Sequence, residues 1–177
     1  LPTRALGWAG VALAVTAFRA ALAVPAYEAA LSSARDGIGA PRRCAGTARV
    51  VTSPALRDGA LVYHADFESL DCEGRLLPGA RVRLREGPPF LGRGDRIEVV
   101  AQLAPAELFR NAELPDPTPS AARNGVVLSG TALSVRIVEA SRGPGAVIDR
   151  ARAVVRARID ATFAPAAAPM ARALVLG

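Results

Sequence analysis

The chain has 177 residues, 51% of them hydrophobic, and a formal net charge of +6 at pH 7. This is enough apolar material for one domain with a sizeable core and an appendage. All 22 basic residues are arginine, and Ala, Gly and Pro are abundant. Because this composition is typical of a GC-rich genome, arginine content alone gives no argument for phosphate binding.

The positive charge lies in the two flanks of the chain. Residues 1–45 carry 5 arginines against 2 acidic residues, residues 46–135 carry 10 against 11, and residues 136–177 carry 7 against 3. The middle of the chain is therefore nearly neutral. Basic flanks suit a membrane surface with anionic lipids as well as they suit nucleic acid.

An apolar run near the N-terminus, residues 5–31, is interrupted only by Arg19, Pro25 and Glu28. Its length matches the thickness of a bilayer, so we predict a transmembrane helix that occupies residues 1–36 with its flank. A signal peptide and a buried helix of a soluble domain are the alternatives, the latter because Arg19 would lie in mid-membrane.

Five strands are predicted between residues 44 and 142. Strand-like alternation is clearest where Ile97, Val99 and Leu103 alternate with polar residues, and a glycine, Gly130, marks a bend or bulge in the last strand. The predicted strands are 46–53, 60–70, 81–85, 96–103 and 126–140. The chain is thus expected to be mainly β, with a five-stranded OB-like barrel at residues 44–142.

An amphipathic, arginine-rich helix is predicted at residues 146–164, to lie on a membrane surface or to pack on another domain. Its apolar stripe consists of Ile148, Ala151, Val155, Ile159 and Thr162. Residues 165–177 are expected to start a membrane or channel domain that the sequence truncates.

Cys44 and Cys72 are the two cysteines of the chain. If the first two strands form a hairpin around residues 57–58, both cysteines fall at its open end, and a disulfide is predicted. Such a bond needs an oxidising compartment. Two unrelated thiols are the alternative, because spacing alone does not establish connectivity.

No catalytic constellation, metal-site spacing or phosphate-binding loop is found in the sequence, so we predict no enzymatic activity and no cofactor. The single histidine, His64, is interpreted as a surface residue. The row Arg81, Arg83 and Arg85 could contact a phosphate backbone. A solvated strand face is the favoured alternative, since few aromatic residues accompany the row.

The order of these features resembles the N-terminal region of the ComEC competence protein family. The most specific parts are G-D-R-I-E-V-V-A-Q-L-A-P at Gly94–Pro105, the pair Arg110–Asn111, and the segment Ala173–Gly177. Members of this family are polytopic inner-membrane proteins implicated in carrying one strand of transforming DNA into the cytoplasm.

The resemblance implies an extracytoplasmic OB-like module of a bacterial DNA-uptake transporter, held at the inner membrane with its barrel on the periplasmic side. Its partners would be single-stranded DNA, the rest of the channel protein and the lipid bilayer, and it would guide or brace the entering strand. The alternative is a membrane-anchored OB-like scaffold that binds protein or lipid and has no role with DNA.

Overall fold

A computed structural model describes residues 21–108, 116 and 118–176 of the chain. These residues form eight strands and four helices. The strands are β1 (Arg42–Val50), β2 (Ala55–Arg57), β3 (Ala60–Phe67), β4 (Ser69–Cys72), β5 (Arg75–Pro78), β6 (Arg81–Arg85), β7 (Arg96–Pro105) and β8 (Val126–Glu139). The helices are α1 (21–38), α2 (Thr118–Asn124), α3 (Pro144–Thr162) and α4 (Ala168–Leu176).

Five of the strands close into a barrel. Around its circumference the order is β1, β3, β6, β8 and β7, and β7 pairs with β1 to complete the circle. The pairing of β6 with β8 is parallel, and the other four pairings are antiparallel. The predicted mainly β architecture with a five-stranded barrel is confirmed.

The barrel interior is filled by alternate residues of its strands. Val82 and Leu84 of β6 and Ile97 and Leu103 of β7 are all completely buried. Successive side chains of a strand point to opposite faces, so their polar neighbours lie outside. Removing this apolar surface from water stabilises the folded state by about 25 cal/mol per Å².

Close strand approach explains Gly130. A Cβ at this position would overlap the backbone oxygen of Gln102 on β7, and Gly130 is also in register with Leu84 of β6. The predicted bulge lies three residues further on, where the β7–β8 register leaves Leu133 without a partner. The glycine thus permits contact with both neighbouring strands.

The predicted antiparallel pairing of the first two strands around residues 57–58 is present, but the short strands β2, β4 and β5 and the two tight turns that they form were not predicted. Asp58–Gly59 joins β2 to β3 and Glu73–Gly74 joins β4 to β5, and all four residues have positive φ angles. Such turns match the twist of antiparallel strands. The predicted strand at 60–70 is therefore wrong at its end, because Phe67 ends β3 and the following residues start β4.

A disulfide joins Cys44 of β1 to Cys72 of β4, with an S–S distance of 2.02 Å. The two residues are direct partners in the antiparallel register of these strands. Both are buried in the hydrophobic core. The bond therefore ties the β4–β5 hairpin to the barrel.

Helix α1 packs on the barrel. Its residues Tyr27, Leu31 and Ile38 are buried, and the Tyr27 hydroxyl donates a hydrogen bond to the Val126 carbonyl oxygen at 3.0 Å. Of the predicted transmembrane helix at 1–36, residues 1–20 lie outside the described residues. The later part is helical, with one face against the barrel.

Across the described ranges, no helix combines the length and the hydropathy that a bilayer crossing requires.

A buried carboxylate, Asp95, connects the β6–β7 loop to the end of β8 and to α3. Its side chain is fully buried and accepts hydrogen bonds from the Gly92 amide at 2.8 Å and the Ser141 amide at 2.7 Å. The Arg150 guanidinium of α3 lies 2.6 Å from the same carboxylate. A buried charge is tolerated when it is paired and hydrogen-bonded in this way.

Helix α3 docks through a face different from the predicted apolar stripe. Its buried residues are Ala146, Asp149, Ala153 and Ile159. Asp149 accepts a hydrogen bond from the Arg93 amide at 2.9 Å, so polar contacts determine which face meets the barrel. Apart from Ile159, the predicted stripe is exposed.

We expect that replacing both disulfide cysteines, Cys44→Ala with Cys72→Ala, lowers the free energy of unfolding by about 3 kcal/mol, because the unfolded chain gains loop entropy. Urea denaturation measures this. Reductant should shift the wild-type midpoint and leave the double variant unchanged. Equal midpoints for wild type and double variant would contradict the expectation.

We also expect Asp95→Ala to lower the free energy of unfolding by about 3 kcal/mol, since it leaves two backbone amides unpaired and takes the carboxylate partner from the half-buried Arg150 guanidinium. The matched control is Glu98→Ala, which removes an exposed pair with Arg136 and should cost less than about 1 kcal/mol. Similar denaturation midpoints for the two variants would disprove a special role for Asp95.

Candidate nucleic-acid interface

The three predicted arginines project from the outer surface of β6. Arg83 and Arg85 are exposed and Arg81 is half-buried, while the residues between them fill the core. Strand β6 lies between β3 and β8 in the barrel. We call the outward side chains of β3 and β6, together with Arg57 of β2, the β3–β6 face.

Arg81 is engaged within the protein. Its guanidinium donates two hydrogen bonds to the Asp66 carboxylate of β3, at 2.6 and 2.8 Å, and a third to the Asn124 carbonyl oxygen at 3.1 Å. The hydrogen bonds from Arg81 lower the pKa of Asp66 below its ordinary value. Arg81 therefore links β3, β6 and the end of α2, and only part of its hydrogen-bonding capacity faces outward.

Arg83 and Arg85 form no ion pair within the part of the chain that the structure describes. Arg83 is in register with His64 of β3, and Arg85 with Val62. The sequence-predicted row is thus divided into one structural arginine and two whose charges face solvent.

The pKa of His64 depends on the charges of the β3–β6 face. Its pKa is lowered, first by burial and then by the positive charges of Arg83, Arg81 and Arg57. Burial and like charges both disfavour the imidazolium form. His64 is therefore neutral at pH 7, and the surrounding field is positive.

Arg57 is a member of this cluster that sequence reasoning missed. It lies on the short strand β2, in register with Ala60 at the start of β3. Because residues 54–59 lie between two predicted strands, Arg57 was not predicted to be part of the sheet. The dipeptide Asp58–Gly59 was the available signal, because such a pair is typical of a two-residue hairpin that would bring Arg57 beside β3.

Aromatic side chains are arranged for packing and not for base stacking. Tyr63 and Phe67 of β3 point into the barrel and are buried, whereas Phe90 is exposed in the β6–β7 loop. Phe109 lies outside the described residues. Within the described part of β3 and β6, the face thus offers charge and the imidazole of His64 but no Phe, Tyr or Trp ring, so its chemistry suits phosphate groups more than bases.

Among the residues with described positions, no cluster of three or more His, Cys, Asp or Glu side chains could hold a metal ion. Neither protein-family models nor curated proteins nor solved structures show a match to this chain.

We expect Arg83→Gln to raise the pKa of His64, because Arg83 is the charged residue that lowers this pKa most. The pKa should still lie below 6.5, because the imidazole remains partly buried. As the single histidine, His64 gives an unambiguous proton NMR titration. Since the folded-state pKa is depressed, stability should fall as the pH drops below 6.5 towards that pKa. Arg43→Gln on β1 is the control and should leave the titration unchanged; an equal shift in both variants would contradict a local field.

Proposed function

We propose that the chain is the extracytoplasmic OB-like module of a ComEC-like DNA-uptake transporter, in which the β3–β6 face guides single-stranded DNA towards a channel or braces that channel. The observation that carries this proposal is the pair of exposed, unpaired arginines, Arg83 and Arg85, beside Arg57. The role is one of binding and positioning, without catalysis.

The strand topology supports the OB-like assignment. OB folds are small Greek-key barrels of five strands that bind oligonucleotides on the face of their second and third strands, and through the loops between strands one and two and strands four and five. The second and third barrel strands here are β3 and β6. The connection between strands one and two contains β2 with Arg57, and the connection between strands four and five is the segment from β7 to β8.

The chemistry of the face favours weak contacts that do not depend on base sequence. Guanidinium groups bind phosphate oxygens through charge-assisted hydrogen bonds. With about three phosphates neutralised, the logarithm of the affinity should fall with the logarithm of salt concentration with a slope of roughly −2. Such binding suits a strand that must pass along the surface.

The disulfide supports placement of the barrel outside the cytoplasm, because structural disulfides persist in oxidising compartments. In the proposed arrangement the N-terminal apolar segment anchors the module in the bacterial inner membrane, and the rest of the channel protein surrounds it. The resemblance to the ComEC family supplies this context.

A second candidate function is that of a membrane-anchored OB-like scaffold for protein or lipid. It is favoured by the apolar residues that α3 exposes on the side away from the barrel, which are Val147, Ile148 and Val154. Under this alternative the β3–β6 face would be a solvated surface.

We expect the full chain in nonionic detergent to bind fluorescent oligo-dT at low salt, and Arg83→Glu with Arg85→Glu to abolish binding, because the charge reversal repels phosphate. Fluorescence anisotropy over about 20–200 mM salt measures affinity and slope. Oligonucleotide bound at this face should also raise the pKa of His64 in the NMR titration.

Arg43→Glu, an exposed reversal on β1, is the control and should retain most of the affinity. Undetectable binding at low salt would refute the guiding role and favour the scaffold. Equal losses for the control and for the Arg83 and Arg85 reversals would show that binding follows net charge alone.

A further inference from the structure

A cleft of about 640 Å³ lies between the β2–β3 hairpin and the two C-terminal helices. Residues 53–56, Asp58 and Gly59 form one wall, and α3 and α4 form the other. Its volume falls in the range of small-ligand sites, roughly 300–1,000 Å³. The cleft is separate from the outward side chains of β6.

Three arginines line the helical wall: Arg152, Arg156 and Arg172. Arg172 is paired with Asp160 at 3.6 Å, whereas Arg152 and Arg156 form no ion pair within the described ranges. Among the described residues that line the cleft, Asp58 is the one acidic residue. The cleft therefore has a net positive charge and two guanidinium groups with free donors.

Apart from Ser53 and Gly59, the remaining described lining consists of Ala, Leu and Pro residues. Leu56 of β2 and Leu176 of α4 line the cleft, and the adjoining α4 residues Met170 and Leu174 are 70% and 77% exposed. Apolar side chains beside a group of arginines match an amphiphile with an anionic head. Of the residues whose positions are described, none that lines the cleft has an aromatic ring to stack on a nucleobase.

We propose that this cleft binds the phosphate of an anionic phospholipid such as phosphatidylglycerol. Arg152 and Arg156 donate charge-assisted hydrogen bonds to the phosphate oxygens, as guanidinium groups commonly do. The exposed apolar residues of α4 then lie beside the acyl chains, in the manner of an amphipathic helix at a membrane interface.

This inference is independent of DNA binding at the β3–β6 face. The two sites share β2, which carries Arg57 of the β3–β6 face and Leu56 of the cleft, but the arginines proposed to bind phosphate lie on α3 for the lipid and on β6 for DNA. A lipid bound at the cleft would orient the barrel relative to a bilayer whether or not DNA follows β6. Each site can therefore be removed by mutation without altering the other.

The test is native mass spectrometry of the full chain, released from detergent micelles doped with phosphatidylglycerol or with phosphatidylcholine. We expect preferential retention of phosphatidylglycerol, and a loss of about tenfold in the lipid-bound fraction for Arg152→Gln with Arg156→Gln. Arg142→Gln with Arg158→Gln is the matched control, because it removes equal charge from exposed positions outside the cleft. It should retain the lipid.

Circular dichroism melting establishes that both double variants fold, and oligo-dT binding should be unchanged in each. Equal retention of the two lipids, or equal loss in the two double variants, would overturn the proposal. Displacement of phosphatidylglycerol by oligo-dT or by inorganic phosphate at similar concentration would also overturn it, because the cleft would then be a nucleic-acid or a simple anion site.

Discussion

The fully buried carboxylate of Asp95 is the interaction on which the arrangement of barrel and helices depends. One carboxylate receives two backbone amides from separate loops and a guanidinium from α3. The backbone of the same residue accepts a hydrogen bond from the Val50 amide at the end of β1. Because a desolvated charge is costly unless every partner is in place, these segments are held in one geometry.

Docking through Asp95 also determines what α3 presents to its surroundings. With Arg150 turned towards the carboxylate and Ala146 buried against Gly92, Arg152 and Arg156 are placed beside the β2–β3 hairpin. The apolar side chains of Val147 and Val154 are left in solvent. A helix whose buried face is selected by polar contacts can thus keep both charge and apolar surface available for another partner.

The sequence predicted the barrel more completely than its attachments. Inward alternation is a repeated local signal, and β6 and β7 carry it most clearly. The hairpins at Asp58–Gly59 and Glu73–Gly74 depend on short strands of three or four residues, in which alternation cannot be read. The face of α3 that packs on the barrel depends on the contact between Arg150 and Asp95, which are 55 residues apart in the sequence. Helical periodicity contains no information about such a contact.

The candidate site was predicted only in part for the same reason. Arg81, Arg83 and Arg85 are equivalent in the sequence, and the β3–β6 register separates them by placing Asp66 beside Arg81 alone. Because residues 46–135 are nearly neutral in total charge, the composition of this segment gave no support for phosphate binding. Of the two strands that form this face, however, the one acidic residue, Asp66, is already engaged by Arg81. The β3–β6 face is therefore more positive than the summed charge of residues 46–135 suggests. A phosphate bound within a few ångströms responds to this local charge, because salt screens exposed charges beyond about 10 Å.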